Sequence, residues 1–216
     1  MAQYDKDVET RWNELTSDIK DHTRHEWWEK IRLAYSQPHR RYHTLKHLYR
    51  IFQHYDQCKN LLKDSRACAF AIFFHDIVYD PKAKDNEAQS AALFKRFGNE
   101  AKIDRVDDIA DFIENTTTHC TEAHMNPGQC GSEDLHYFLD FDMAILGVDA
   151  AEYQEYCQAI RQEYDHLDDG TYKNERAKVL RLFLQIPNIF ATEKFRAQYE
   201  QKARANIQSE IDRLAS

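Results

Sequence analysis

Glycine and proline are scarce, at 5 and 4 of 216 residues, about 4% together where about 12% is usual. Hairpins need those residues, so the shortage argues against a sheet-rich fold and for helices joined by short loops. Long apolar runs are missing too. None approaches the ~20 residues that span a bilayer, and Met1 to Asp7 is not a basic stretch followed by an apolar one, so neither a membrane span nor a secretion signal is expected. An excess of positive charge is also absent: Lys and Arg number 29 against 37 Asp and Glu, a formal net charge of −8. A phosphate backbone needs a basic surface, which disfavours general nucleic-acid binding. A small anionic ligand needs only a local positive pocket or a metal, and stays open. The five cysteines (Cys58, Cys68, Cys120, Cys130 and Cys157) form an odd set without framework spacing, which points to a reducing, cytoplasmic compartment.

What is present is material for one sizeable core. Hydrophobic residues make up 42% of the chain, and its length favours one domain. No repeat or flexible linker divides it. Apolar residues at helical spacing mark amphipathic helices along the chain, the first through Val8, Trp12, Leu15 and Ile19. A second is expected over 25–35, and a third from about Tyr42 or His43. The run Ala67 to Phe74 is apolar all round, and periodicity alone does not separate a buried strand from a buried helix. Its three alanines, and the lack of other strand-like segments, favour a central helix. Asp85 looks like an N-cap, with Gly98 closing that helix. Cys120 to Gly131 reads as a long loop. Ser132 reads as the next cap, Asp149 and Glu152 as a capping box, and 172–185 and 192–214 as the last helices. The expectation is an all-α, single-domain fold of about eight to ten helices. Trp27 and Trp28 belong either to the core or to a contact between copies, so a homo-oligomer stays open.

Three features carry chemistry. His75-Asp76 follows eight apolar residues, and an unpaired carboxylate at the end of a buried helix is costly. Imidazole with carboxylate suits a divalent metal (Mn, Fe, Co, Ni or Zn), although a lone His-Asp dipeptide is more often an ordinary helix end. His43 and His47 stand at i and i+4, one helical turn apart, so one can bind a metal while the other faces a group bound to it. Asp142 sits among apolar residues in Asp140-Phe141-Asp142-Met143-Ala144-Ile145-Leu146-Gly147, an unusual place for a surface charge.

Together the ordered set resembles the HD-domain superfamily of metal-dependent phosphohydrolases, in a bacterial branch described as predicted hydrolases. It comprises Arg41-Tyr42-His43-x-x-x-His47, Phe74-His75-Asp76-x-x-Tyr79-Asp80, Asp85-Asn86-Glu87-x-x-Ser90, Thr116-x-x-His119 and Asp140-x-Asp142-x-x-Ile145-Leu146-Gly147. Tyr153-x-x-Tyr156-x-x-x-Ile160-Arg161-x-Glu163-Tyr164 also looks like it. The resemblance covers about 35–190, leaving flanking helices at both ends. It implies a helical HD-type domain with His47, His75, Asp76 and Asp142 as metal ligands, Mg being a further option for the ion, and His43 as general acid. Asp140 then orients a ligand or serves a second metal. In the implied mechanism the metal lowers the pKa of water to give a hydroxide nucleophile, and His43 protonates the leaving oxygen. Asp76 is catalytic through the metal. Arg40 and Arg41 would hold phosphate, Asn86 and Glu87 would line the pocket, and Arg161 and Tyr164 would form a substrate wall.

His119 lies where some members place a second-metal ligand, and a substrate contact is the other option for it. His119, Cys120, His124 and Cys130 match no common zinc framework. The leading function is hydrolysis of a small phosphorylated or nucleotide substrate. One alternative is a di-iron oxygenase on the same helical frame, which needs a complete second metal site. The other is a non-catalytic nucleotide-binding module, which loss of ligands would have signalled.

Overall fold

The computed structural model describes residues 3–215. Among them it contains ten helices of nine residues or more, a few single turns and no strand; the nearest approach to a sheet is an isolated bridge between Gly131 and Thr192. The fold is all-α, as the scarcity of turn residues implies. No helix among the described residues is long and apolar enough to cross a membrane. Residues up to His119 form one compact unit and those from Cys120 a second.

The first unit holds α1 (Gln3–Leu15), α2 (Asp21–Ala34), α3 (Leu45–Cys58), α4 (Ser65–Phe74), α5 (Asn86–Ala101) and α6 (Val106–Glu114). The apolar run is indeed a helix, α4, and every residue from Ala67 to Phe74 is buried. Asp64 starts it by accepting a 2.9 Å bond from the Ala67 amide, the usual way to satisfy an orphan donor of the first turn. Helices α3, α5 and α6 pack around α4. The filling is aromatic: Trp12 meets Phe73 edge-on at 5.2 Å, and Phe74 stacks on Phe97 at 5.1 Å. Trp27 and Trp28 are both buried here, and the Trp27 indole donates to Glu100.

Two boundaries differ from expectation. α5 runs through Gly98 to Ala101 and ends at Lys102, whose φ of 57° closes the helix. Gly98 instead lets α6 approach, since a Cβ there would lie 2.6 Å from Val106 Cγ2. α3 begins at Leu45, because Thr44 is extended at φ −116°, ψ 179°. Tyr42 and His43 therefore precede the helix, and the two histidines are not a helical i, i+4 pair.

The second unit opens with one helical turn, Glu122–Met125, inside the expected loop. It continues with α7 (Asp134–Met143), α8 (Ala150–Glu163), α9 (Asp169–Gln185) and α10 (Gln201–Ala215). A tight turn, Ala144–Gly147, follows α7 and packs under α10. The chain enters α10 through a short turn, Glu193–Phe195, and a wide one, Arg196–Glu200. Glu133 rather than Ser132 is the N-cap of α7. Asp149 makes no capping bond but pairs with Lys202 at 2.8 Å. Asp168 caps α9 by accepting from Thr171.

Candidate metal centre

The end of α4 and the start of α3 bring three donors together. His75 is the cap residue of α4, and its Nδ1 lies 2.9 Å from the Ile72 carbonyl. A carbonyl only accepts, so that nitrogen carries a proton, and Nε2 presents a lone pair whenever the ring is neutral. His75 Nε2 stands 3.2 Å from His47 Nε2 and 3.0 Å from Asp76 Oδ2. His47 Nε2 is 3.6 Å from the same carboxylate oxygen. Both rings are buried, and the Asp76 side chain keeps a small opening at 17% exposure.

This donor set fits a divalent ion. Two imidazoles and a carboxylate are the ligands that Zn and its neighbours take. The circle through the three atoms has a radius of about 1.9 Å, just below the ~2.0–2.2 Å of a metal–nitrogen or metal–oxygen bond, so one ion could reach all three. The Ile72 carbonyl supplies the outer-shell bond that orients a ligating histidine. Burial works against ionisation of Asp76, but charge on His75 and His43 and hydrogen bonds from His47 and His75 outweigh it, holding its carboxyl well below the ordinary range.

His43 stands at the rim, half-buried, with Nε2 3.9 Å from Asp76 Oδ2. The Tyr79 ring leans on it at 4.3 Å between centroids, and Tyr42 meets it edge-on at 5.0 Å. His39 holds the Tyr79 carbonyl at 2.8 Å. Motif spacing brought out His43 and His47. It gave no role to Tyr42, which stands in their own motif block, or to Tyr79, which stands in the block of His75 and Asp76.

Arg40 has a different task from the expected phosphate contact. It is buried, and its guanidinium donates to the carbonyls of His43 (3.2 Å), Asp76 (2.6 Å) and Ile77 (3.0 Å), and to Gln37. It also lies over the rings of Tyr35 and Tyr79. Arg40 thus latches the segment before α3 to the segment after α4. Arg41 is exposed. Asn86 exchanges two bonds with the Asp80 backbone, at 3.0 and 2.9 Å, and Ser90 does the same for Val78, so both fix the loop that carries Tyr79. Glu87 is half-buried in the first turn of α5.

His119 has a φ of 49° and ends the first unit; among the described residues it joins no group of three metal-type donors. His124 Nδ1 accepts from the Thr121 amide at 2.9 Å, which makes it a turn-capping residue. In the second unit, Asp140 is fully engaged elsewhere than a metal. Its carboxylate accepts from the Ala191 amide (2.7 Å), the Thr192 amide (2.8 Å) and the Thr192 hydroxyl (2.6 Å). Burial pushes its carboxyl up to about 7 against those bonds. Asp142 is half-buried near the end of α7. Arg161 donates to the carbonyls of Tyr164 and Leu167 and pairs with Asp169 at 2.7 Å, tying off α8 around Tyr164. Comparison of the chain with protein-family models, with curated proteins and with solved structures returns no match in any of the three.

Proposed function

We propose that the chain is a metal-dependent phosphohydrolase acting on a small phosphorylated or nucleotide substrate. The observation that carries this reading is the convergence of His47, His75 and Asp76 on one point, with donor separations of 3.0–3.6 Å. His47, His75 and Asp76 would hold the ion, and the motif resemblance adds Asp142 as a further carboxylate. A bound Mn, Fe, Co, Ni, Zn or Mg ion supplies Lewis acidity, polarising a phosphoryl oxygen and acidifying water.

The chain's own groups do the rest. Ionised Asp76 and the oriented lone pair of His75 keep the donors ready for a cation. His43, open to solvent at the rim and steadied by Tyr79, exchanges protons and delivers one to the leaving oxygen. His47 is too buried for that task, which divides the two histidines between ligand and acid. Arg41 remains the candidate cation for the phosphoryl group, since Arg40 is committed to carbonyls. The five cysteines are all free, in keeping with a cytoplasmic location.

Metal content of anaerobically purified wild type and Asp76→Ala, measured in parallel with a phosphate-ester screen, tests the reading. One ion per chain and ester hydrolysis in wild type, both lost in the variant, are expected. Two irons per chain would favour the oxygenase. No metal in either protein after reconstitution with these ions would leave a binding module and overturn the proposal.

A further inference from the structure

A second site lies in the C-terminal unit, where α8, α9 and α10 meet around a cavity of about 310 Å³. That is the lower end of the ~300–1,000 Å³ range of small-molecule sites. Its floor is Glu210, buried and held from behind by Arg176 at 2.9 Å and by the Tyr153 hydroxyl. Arg176 also reaches the Tyr156 hydroxyl at 3.3 Å. One wall is the ring of Tyr172, with the Arg161 guanidinium lying 4.7 Å over it and paired to Asp169. Both carboxylates in the lining therefore have an arginine of their own.

The rest of the charged lining is cationic: Lys173 on α9 and Arg213 on α10. Among the described residues Lys173 makes no ion pair. The positive lining runs against its surroundings, since residues 120–216 hold ten Lys and Arg against seventeen Asp and Glu. The apolar share of the lining is Tyr172, Leu214 and the Cys157 side chain. Burial lifts both Tyr172 and Cys157 to about 12, aided at Cys157 by the charge of Glu210. An apolar wall of Tyr172, Leu214 and the Cys157 side chain with two cations among the lining residues is a site for a ligand with an apolar body and an anionic head.

We propose that this cavity binds a small organic anion, its apolar body against Tyr172 and Leu214 and its carboxylate, sulfonate or phosphate group at Lys173 and Arg213. This does not depend on the metal centre. The probe is 8-anilinonaphthalene-1-sulfonate, titrated by fluorescence into the metal-free full chain. One saturable site per chain is expected, weakened at least tenfold by Lys173→Glu and by Arg213→Glu, both exposed positions that leave the core untouched. Gln158→Trp, which fills the cavity from α8, should abolish it. Phenyl phosphate should displace the probe where the same concentration of inorganic phosphate does not, and its amide NMR shifts should cluster on α8, α9 and α10. Wild-type probe affinity in both charge-reversal variants, or shifts clustered elsewhere, would overturn the proposal. Equal displacement by inorganic phosphate would overturn the part given to the apolar body.

Discussion

Replacing Arg40 by methionine separates two roles for that residue. Methionine keeps the unbranched stem and removes the fork, leaving the carbonyls of His43, Asp76 and Ile77 without their donor. Hydrogen bonds to a charged group contribute about 1.5–3 kcal/mol each. The three are not additive, and water can reach part of the vacated space. A loss of about 3–5 kcal/mol is therefore expected, a large share of the ~5–15 kcal/mol that holds a domain folded. Arg40→Lys should lose about half as much, because one ammonium can serve one or two of the carbonyls but lacks the planar fork. Guanidinium unfolding followed by tryptophan fluorescence is the assay. All three tryptophans lie in the unit that contains Arg40, so the signal reports that unit. Chelator keeps metal binding from contributing to the midpoint. Since the latch holds the Asp76 backbone itself, metal affinity should fall along with stability. An unchanged midpoint with a raised KM for phosphate esters would refute this reasoning and restore Arg40 as a phosphate ligand.

The ring of Tyr79 leans on His43, a contact worth about 0.5–1.5 kcal/mol. Tyr79→Ala should then slow ester turnover about two- to tenfold while Tyr79→Phe stays near wild type; equal loss in both would move the role to the hydroxyl. Asp140→Ala strands two buried amides and a hydroxyl, at about 1–3 kcal/mol each before relaxation. Hydrogen exchange at Ala191 and Thr192 should accelerate in that variant, and unchanged protection would contradict the clamp. Cys157 is lifted to about 12 first by burial and then by the charge and hydrogen bond of Glu210, whereas Cys130 is exposed with Arg196 at 3.4 Å from its sulfur. Iodoacetamide at pH 8 should label Cys130 far ahead of Cys157, with Cys157 labelling rising about tenfold per pH unit until its thiol titrates. Peptide mass spectrometry reads this, and matched rates at pH 8 would mean that the Glu210 network is open to water.

The helical class was legible because it depends on composition: few turn residues and an apolar run rich in alanine leave little else to build. His47, His75 and Asp76, which the structure brings together, were singled out by the resemblance that the ordered motifs carry, since each dipeptide or pair alone is an ordinary feature. Partners were not legible where they are remote in the chain. Arg40 lies beside the histidines in sequence, and from there a phosphate contact is the natural reading. Its carbonyl partners at Asp76 and Ile77 are 36 and 37 residues away. The same holds for Asp140, whose clamp on Ala191 and Thr192 reaches 51 and 52 residues along the chain. Gly98 read as a helix end because glycine favours that position; only the approach of Val106 shows why a Cβ is excluded inside the helix. His43 follows the same logic. Its spacing from His47 predicts a shared helix face, yet the extended Thr44 backbone and the pull of Arg40 on the His43 carbonyl hold it outside α3. That displacement separates the pair: His47 is buried within α3 and His43 is half-buried in the segment before it. The sequence motif names two histidines, and the Arg40 latch on the His43 carbonyl is what gives them different surroundings, the difference on which the proposed ligand and acid roles rest.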